Sequence, residues 1–273
     1  MRELPIGIQD FEMLRRDNLL YVDKTERLLE LIKNGRRYFL SRPRRFGKSL
    51  TLSTLEAMFG GKAELFGGLA AEEWVKEQAE KPLPVLRFDM SAREATSAET
   101  LRDSLKMMTL RSAKQFGIEL ISDMLNDRLG ELLEGLYKRC GGAVVLIDEY
   151  DKPILDSITD LKKANAMREV LCSFYTALKS CDKYLRFVFI TGISKFSKVG
   201  VFSAMNNLLD ISLTERYGDL TGYTQNELEK YFEEWISFAA AKNQLSRSEI
   251  LERLKEYYDG FSFDGAARLY NPY

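Results

Sequence analysis

Three short stretches carry residue types that could do chemistry together. "SRPRRFGKSL" (41–50) ends in Gly47-Lys48-Ser49, directly after the apolar run Tyr38-Phe39-Leu40. "VVLIDE" (144–149) sets Asp148 and Glu149 behind four apolar residues, and "LRFVFITGIS" (185–194) ends in Thr191 and Ser194. A Gly-Lys-Ser turn between a strand and a helix binds phosphate. There the N–H groups of the helix N-terminus converge on the anion, with the helix dipole behind them. Gly47 lets the backbone approach closely, Lys48 would reach the outer phosphates, and the Ser49 hydroxyl would reach Mg²⁺.

The usual loop of this kind reads G-x-x-x-x-G-K-[ST], and Arg42 stands where its first glycine belongs. That glycine eases a tight turn and its loss removes no donor. Pro43 lacks an N–H, but the expected donors come later, at Gly47, Lys48, Ser49 and Leu50. Arg44, Arg45 and Phe46 complete the candidate nucleotide contacts. The two arginines either touch phosphate or face solvent or a partner. The competing reading is a plain strand–turn–helix with an exposed basic turn.

The acidic pair weighs against that plain reading. At the end of a buried strand, Asp148 would hold the metal through water, sharing it with Ser49, while Glu149 would polarise an attacking water as general base. Lys48 and Glu149 are thus the candidate catalytic residues. A glutamate after the aspartate favours the ATPase branch that inserts a strand between the loop strand and the Asp strand. The 185–194 stretch offers that strand, with Thr191 or Ser194 placed to sense a γ-phosphate, or else serving as an ordinary polar strand end.

The elements that must position these residues alternate in type. Strand-like runs fall at 37–40, 83–89, 143–149, 185–191 and 208–213. Helical spacing covers 48–59, a segment opened by a Thr96-x-x-Glu99 capping box, 119–139 and 161–179. The sequence therefore predicts an α/β fold with a mainly parallel five-stranded sheet covered by helices on both faces. After about residue 220 the pattern turns helical, with capping boxes at Thr224-x-x-Glu227 and Ser246-x-x-Glu249. Residues 1–220 read as the core and 221–273 as a helical lid.

Composition excludes several chemistries. The 273 residues contain no histidine, so Ser-His-Asp, Cys-His and His-ligated metal mechanisms are ruled out. Lys plus Arg number 40 against 41 for Asp plus Glu, which provides no global field toward nucleic acid or an anionic membrane. The three cysteines, Cys140, Cys172 and Cys181, form no CxxC pair and are expected as buried thiols in a reducing compartment. No N-terminal h-region and no membrane-length apolar run is evident, so the expected location is cytoplasmic.

Four strings, 4–25 with "YVDKT", 38–59 with "RPRRFGKS", 144–154 with "DEYDKP", and "FVFITGISKFSK" (187–198), together resemble the AAA-ATPase-like family of bacterial and archaeal proteins. The resemblance covers essentially the whole chain, and in that family the missing first glycine is normal. It implies a P-loop NTPase core with strand order 5-1-4-3-2, Walker A and Walker B motifs, ATP and Mg²⁺ as ligands, and a C-terminal helical lid. Members often continue into a PD-(D/E)xK nuclease-like effector domain, of which residues 1–273 carry no convincing pattern. A homo-oligomer would allow an arginine finger in trans, for which Arg216 is one candidate. A nucleotide-gated scaffold with little turnover is the first alternative. A nucleic-acid module using Arg36, Arg37, Arg42, Arg44 and Arg45 ranks last. The N-terminal segment with Ile6, Ile8 and Phe11 either lies beside an adenine or packs on the core. No chemical role is evident for Asp23 and Lys24.

Overall fold

A computed structural model describes residues 1–92, 95–194 and 207–272, so residues 195–198 of the fourth string lie outside it. Strands β1 (Arg37–Ser41), β2 (Val85–Asp89), β3 (Ala143–Asp148), β4 (Leu185–Gly192) and β5 (Leu209–Asp210) form one sheet of order β2-β3-β4-β1-β5. Every neighbouring pair is parallel. The expected order 5-1-4-3-2 is the same sheet read from its other edge.

All six residues of β3 are buried because a central parallel strand is covered on both faces. Alternation then sorts its side chains. Val145 and Ile147 join Phe39, Val188 and Ile190 in one core layer, under α5 (Ala98–Gln115), α6 (Leu125–Cys140) and α8 (Leu161–Ser180). Val144 and Leu146 join Tyr38, Leu40, Phe187 and Phe189 in the other layer. That layer is closed by α1 (Phe11–Arg16), α2 (Thr25–Asn34), α3 (Lys48–Phe59) and α4 (Glu72–Gln78).

Several boundaries differ from the sequence expectation. The cap of α5 is Ser97, not Thr96: Ser97 and Thr100 bond each other's backbone N–H reciprocally. Helix α6 starts at Leu125 because the Glu131 carboxylate accepts the N–H groups of Ile121 and Ser122, folding that segment back as a non-helical turn. Strand β5 is only two residues long. Beyond it the Ser212 hydroxyl takes the Ser41 N–H and Arg42 takes the Ser212 carbonyl, so side chains replace the ladder. Only Cys181 is a buried thiol; Cys172 is half-buried and Cys140 exposed.

The region after residue 220 contains α9 (Gln225–Tyr231), α10 (Glu233–Asn243) and α11 (Arg247–Tyr258), with capping boxes at Thr224 and Ser246. It is not purely helical. Asp259–Phe261 (β6) pairs antiparallel with Leu269–Tyr270 (β7), and Tyr223 bridges Tyr270 to widen the hairpin. A short α7 (Lys152–Leu155) follows the acidic loop.

The "YVDKT" string has a structural use. Asp23 accepts from the Thr25 N–H and hydroxyl and from the Ala70 N–H. Lys24 donates to the Asp219 carbonyl at 2.8 Å and to both Glu227 oxygens at 2.6 Å, tying α2 to the C-terminal helices.

Candidate functional site

Strands β1, β4 and β3 end side by side. In register, Leu40 pairs Thr191 and Ser41 pairs Gly192 on one flank of β4, and Ile147 pairs Ile190 on the other. The loops that follow them therefore emerge at one carboxyl edge, where open parallel sheets bind ligands.

The 42–47 turn enters α3 through left-handed backbone at Arg45 (φ 64°) and Gly47 (φ 81°). A side chain at Gly47 would meet no neighbour, so the glycine is required by its torsion rather than by crowding. Gly47 at the N-cap of α3 has no side chain to cap the first turn, and no described side chain takes one of its N–H groups. Lys48 is 5% exposed, and its ammonium donates to the carbonyls of Arg42 (2.9 Å) and Pro43 (2.8 Å). Burial lowers its pKa, while Asp148, Glu149 and Asp151 pull the other way. The parallel register of β1, β4 and β3 places the cation and the acidic residues at the same edge.

The carboxylate of Asp148, 2% exposed, accepts through Oδ1 from the Thr191 hydroxyl at 2.7 Å and from the Glu149 N–H at 3.1 Å. Its Oδ2 lies 3.8 Å from the Arg87 guanidinium. Glu149 is held at φ 49°, a strained torsion for glutamate that turns the chain sharply after the strand. Its pKa is raised, first by burial and then by Asp148, with Lys48 and Lys152 opposing.

The residue that sequence reasoning missed is Asp151, which is fully buried. Its Oδ2 accepts from the Ile193 N–H (2.9 Å), the Ser194 N–H (2.7 Å) and the Ser194 hydroxyl (2.8 Å). Tyr150 donates to the Ser194 carbonyl at 2.9 Å. Ser194 is thus spent on holding the end of β4, while Thr191 faces Asp148. The only available signal was the string "DEYDKP", which puts a second aspartate three residues after the strand ends.

The remaining loop residues divide sharply. Arg44 and Arg45 are exposed. The Phe46 side chain is buried against Phe261 and Phe263, which leaves only its backbone for a ligand. Arg42 is 1% exposed and engaged with carbonyls. Arg37 sits at the opposite end of β1, bonded to Asp182 and the Leu185 carbonyl. The five arginines grouped as a nucleic-acid surface therefore form no single patch, because Arg42 and Arg37 are buried and Arg37 lies at the opposite end of β1 from the loop. Arg216 is half-exposed, 3.9 Å from Glu30 and over the Tyr217 ring. Phe11 packs on Tyr21 and Phe66, which is the core reading of the N-terminal segment, whereas Ile6 is exposed.

Among the described residues no three acidic or thiol side chains converge into a metal cage. Ser49 and Asp148 fit the sparse protein share of a Mg²⁺ shell that phosphate and water complete. The buried Lys48 and the side-chain-free start of α3 fit a polyphosphate.

The profile of the family described as Predicted AAA-ATPase matches residues 5–202. The chain belongs to this AAA-ATPase-like family. Membership points to nucleotide binding and hydrolysis. An uncharacterised protein from the vnfD 5′ region of Azotobacter chroococcum mcd 1 is 39% identical over 277 residues. That match takes in 100% of the AAA-ATPase-like chain but 51% of the relative, so the chain spans about half of that protein. No solved structure matches the chain. No described helix is long and apolar enough to cross a membrane.

Proposed function

We propose that the protein binds ATP with Mg²⁺ at this edge and hydrolyses it, with residues 221–272 acting as the lid. The observation that carries the reading is the buried Lys48 ammonium at the start of α3, at the sheet edge where β1 and β4 end beside Asp148 of β3. Lys48 would exchange two loop carbonyls for phosphate oxygens. The N–H groups of Gly47 to Leu50 would hold the anion, joined by exposed Arg44 and Arg45. Ser49 and Asp148 would hold Mg²⁺, which neutralises the phosphate charge. Glu149 would take the proton of the attacking water, a task helped by a pKa lifted toward the working range. Thr191 keeps the Asp148 carboxylate in one orientation through their 2.7 Å bond.

The test is a titration with ATP, ADP and GTP, with and without Mg²⁺, followed by turnover. Lys48→Ala should abolish binding. Glu149→Gln should bind ATP and stop turning over. Equal turnover in wild type and Glu149→Gln would defeat the assignment. Tight binding without turnover at any protein concentration would make the protein a nucleotide-gated scaffold instead.

A further inference from the structure

The arginine in place of the usual glycine makes connections that a tight turn does not need. The Arg42 guanidinium donates to the carbonyls of Ser41 (2.9 Å), Ser212 (2.6 Å), Tyr217 (3.3 Å) and Gly218 (3.4 Å). Its Cζ lies over the ring of Phe263, 4.0 Å from the centroid, in the segment between β6 and β7. Burying a guanidinium costs stability unless carbonyls and aromatic faces replace its water. Here burial pushes its pKa down to about 10, with Asp264 and Asp210 opposing. A glycine would make the same turn with no such cost, so the arginine's contribution is the connection itself.

Four residues later the loop is held again, by an apolar contact. The Phe46 ring meets Phe261 and Phe263 edge-on, with centroids 4.9 and 5.2 Å away. Gly222 makes the room. It has a φ of 78°, and a Cβ there would lie 2.6 Å from the Phe46 ring. Both ends of the 42–47 turn are thus fastened to the C-terminal hairpin and its flanks. Lys48 holds the carbonyls of Arg42 and Pro43 from the other side.

We propose that the hairpin of residues 259–270 is a clasp on the phosphate loop, with Arg42 and Phe46 as positioning residues, so that seating the hairpin and filling the loop favour each other. This rests on the proposed nucleotide site. Moving Lys48 onto phosphate frees the Arg42 and Pro43 carbonyls, and the resulting shift of that peptide reaches Phe263 through the stacked guanidinium. Reciprocity requires that whatever the hairpin does to nucleotide affinity, nucleotide does to the hairpin.

The experiment pairs ATP titration with hydrogen–deuterium exchange on the whole chain. ATP should slow exchange of the 259–270 amides in wild type but not in Lys48→Ala. Phe263→Ala should weaken ATP binding by about tenfold, within the usual range for coupled sites. Phe263→Tyr, which keeps the ring, should restore the affinity. A merely structural contact would leave hairpin exchange the same with and without ATP. Unchanged exchange in a wild-type protein that binds ATP, or ATP affinity in a folded Phe263→Ala equal to wild type, would overturn the clasp and leave the nucleotide site standing. No ATP binding by wild type would overturn both.

Discussion

Glu149 carries two abnormalities. Its backbone is left-handed, and burial followed by the neighbouring Asp148 charge raises its pKa above the ordinary 4.5. The raised value means that the folded state holds this proton more tightly than the unfolded chain does. The stability gained that way is present at low pH and lost as pH rises through the folded pKa. Glu149→Gln should therefore melt higher than wild type near neutral pH, with the difference fading toward about pH 4. Thermal unfolding at several pH values checks this. If Glu149 is the base of the proposed hydrolysis, the same raised pKa should make the acid limb of turnover fall away at a higher pH than for an ordinary glutamate. Thr191→Val preserves shape and removes the bond to Asp148. It should cost about 1 kcal/mol of stability and lower kcat more than ATP affinity. Asp151→Ala strips one acceptor from three donors and should cost about 3 kcal/mol by urea unfolding.

Three helices whose ends are set by local chemistry matched their sequence boundaries, whereas the cap of α5 fell one residue later, at Ser97. Helix α3 runs from Lys48 to Phe59 because Gly47 supplies the left-handed entry and Gly60-Gly61 the exit. The capping boxes of α9 and α11 fall where Thr-x-x-Glu and Ser-x-x-Glu place them. Thr224→Ala should cost about 1 kcal/mol, the usual worth of such a cap, measured by urea unfolding. It should also disturb Lys24, since Glu227 serves both the cap and that ammonium. Elements set by distant partners were not legible. β5 stops at Asp210 because Ser212 and Arg42 meet there, residues 170 positions apart in the chain. α1 and α4 are too short for periodicity to announce them.

At the scale of the molecule the sheet brings three loops to one edge, and the C-terminal hairpin closes over the 42–47 turn. The relative of twice the length shows that this arrangement can be part of a longer chain. If an arginine from a second copy completes the site, turnover per molecule should rise with protein concentration. Loss of such a finger can be worth on the order of 10³-fold in rate. Turnover measured across a dilution series decides it, and Arg216→Ala should flatten the curve if that arginine is the source. A flat curve in wild type would mean that one chain carries the whole site.

By itself the sequence determined the family and the layering of the fold. A histidine-free chain with Gly-Lys-Ser after one apolar run and Asp-Glu after another leaves few alternatives, and both signals are local. What only the tertiary structure decided were the uses of Arg42, Phe46 and Asp151. Their types suggest phosphate, ring contact or metal. The partners of Arg42 lie after β5 and in the C-terminal hairpin, those of Phe46 lie in that hairpin, and those of Asp151 follow β4, all of them non-local contacts to which spacing along the chain is blind.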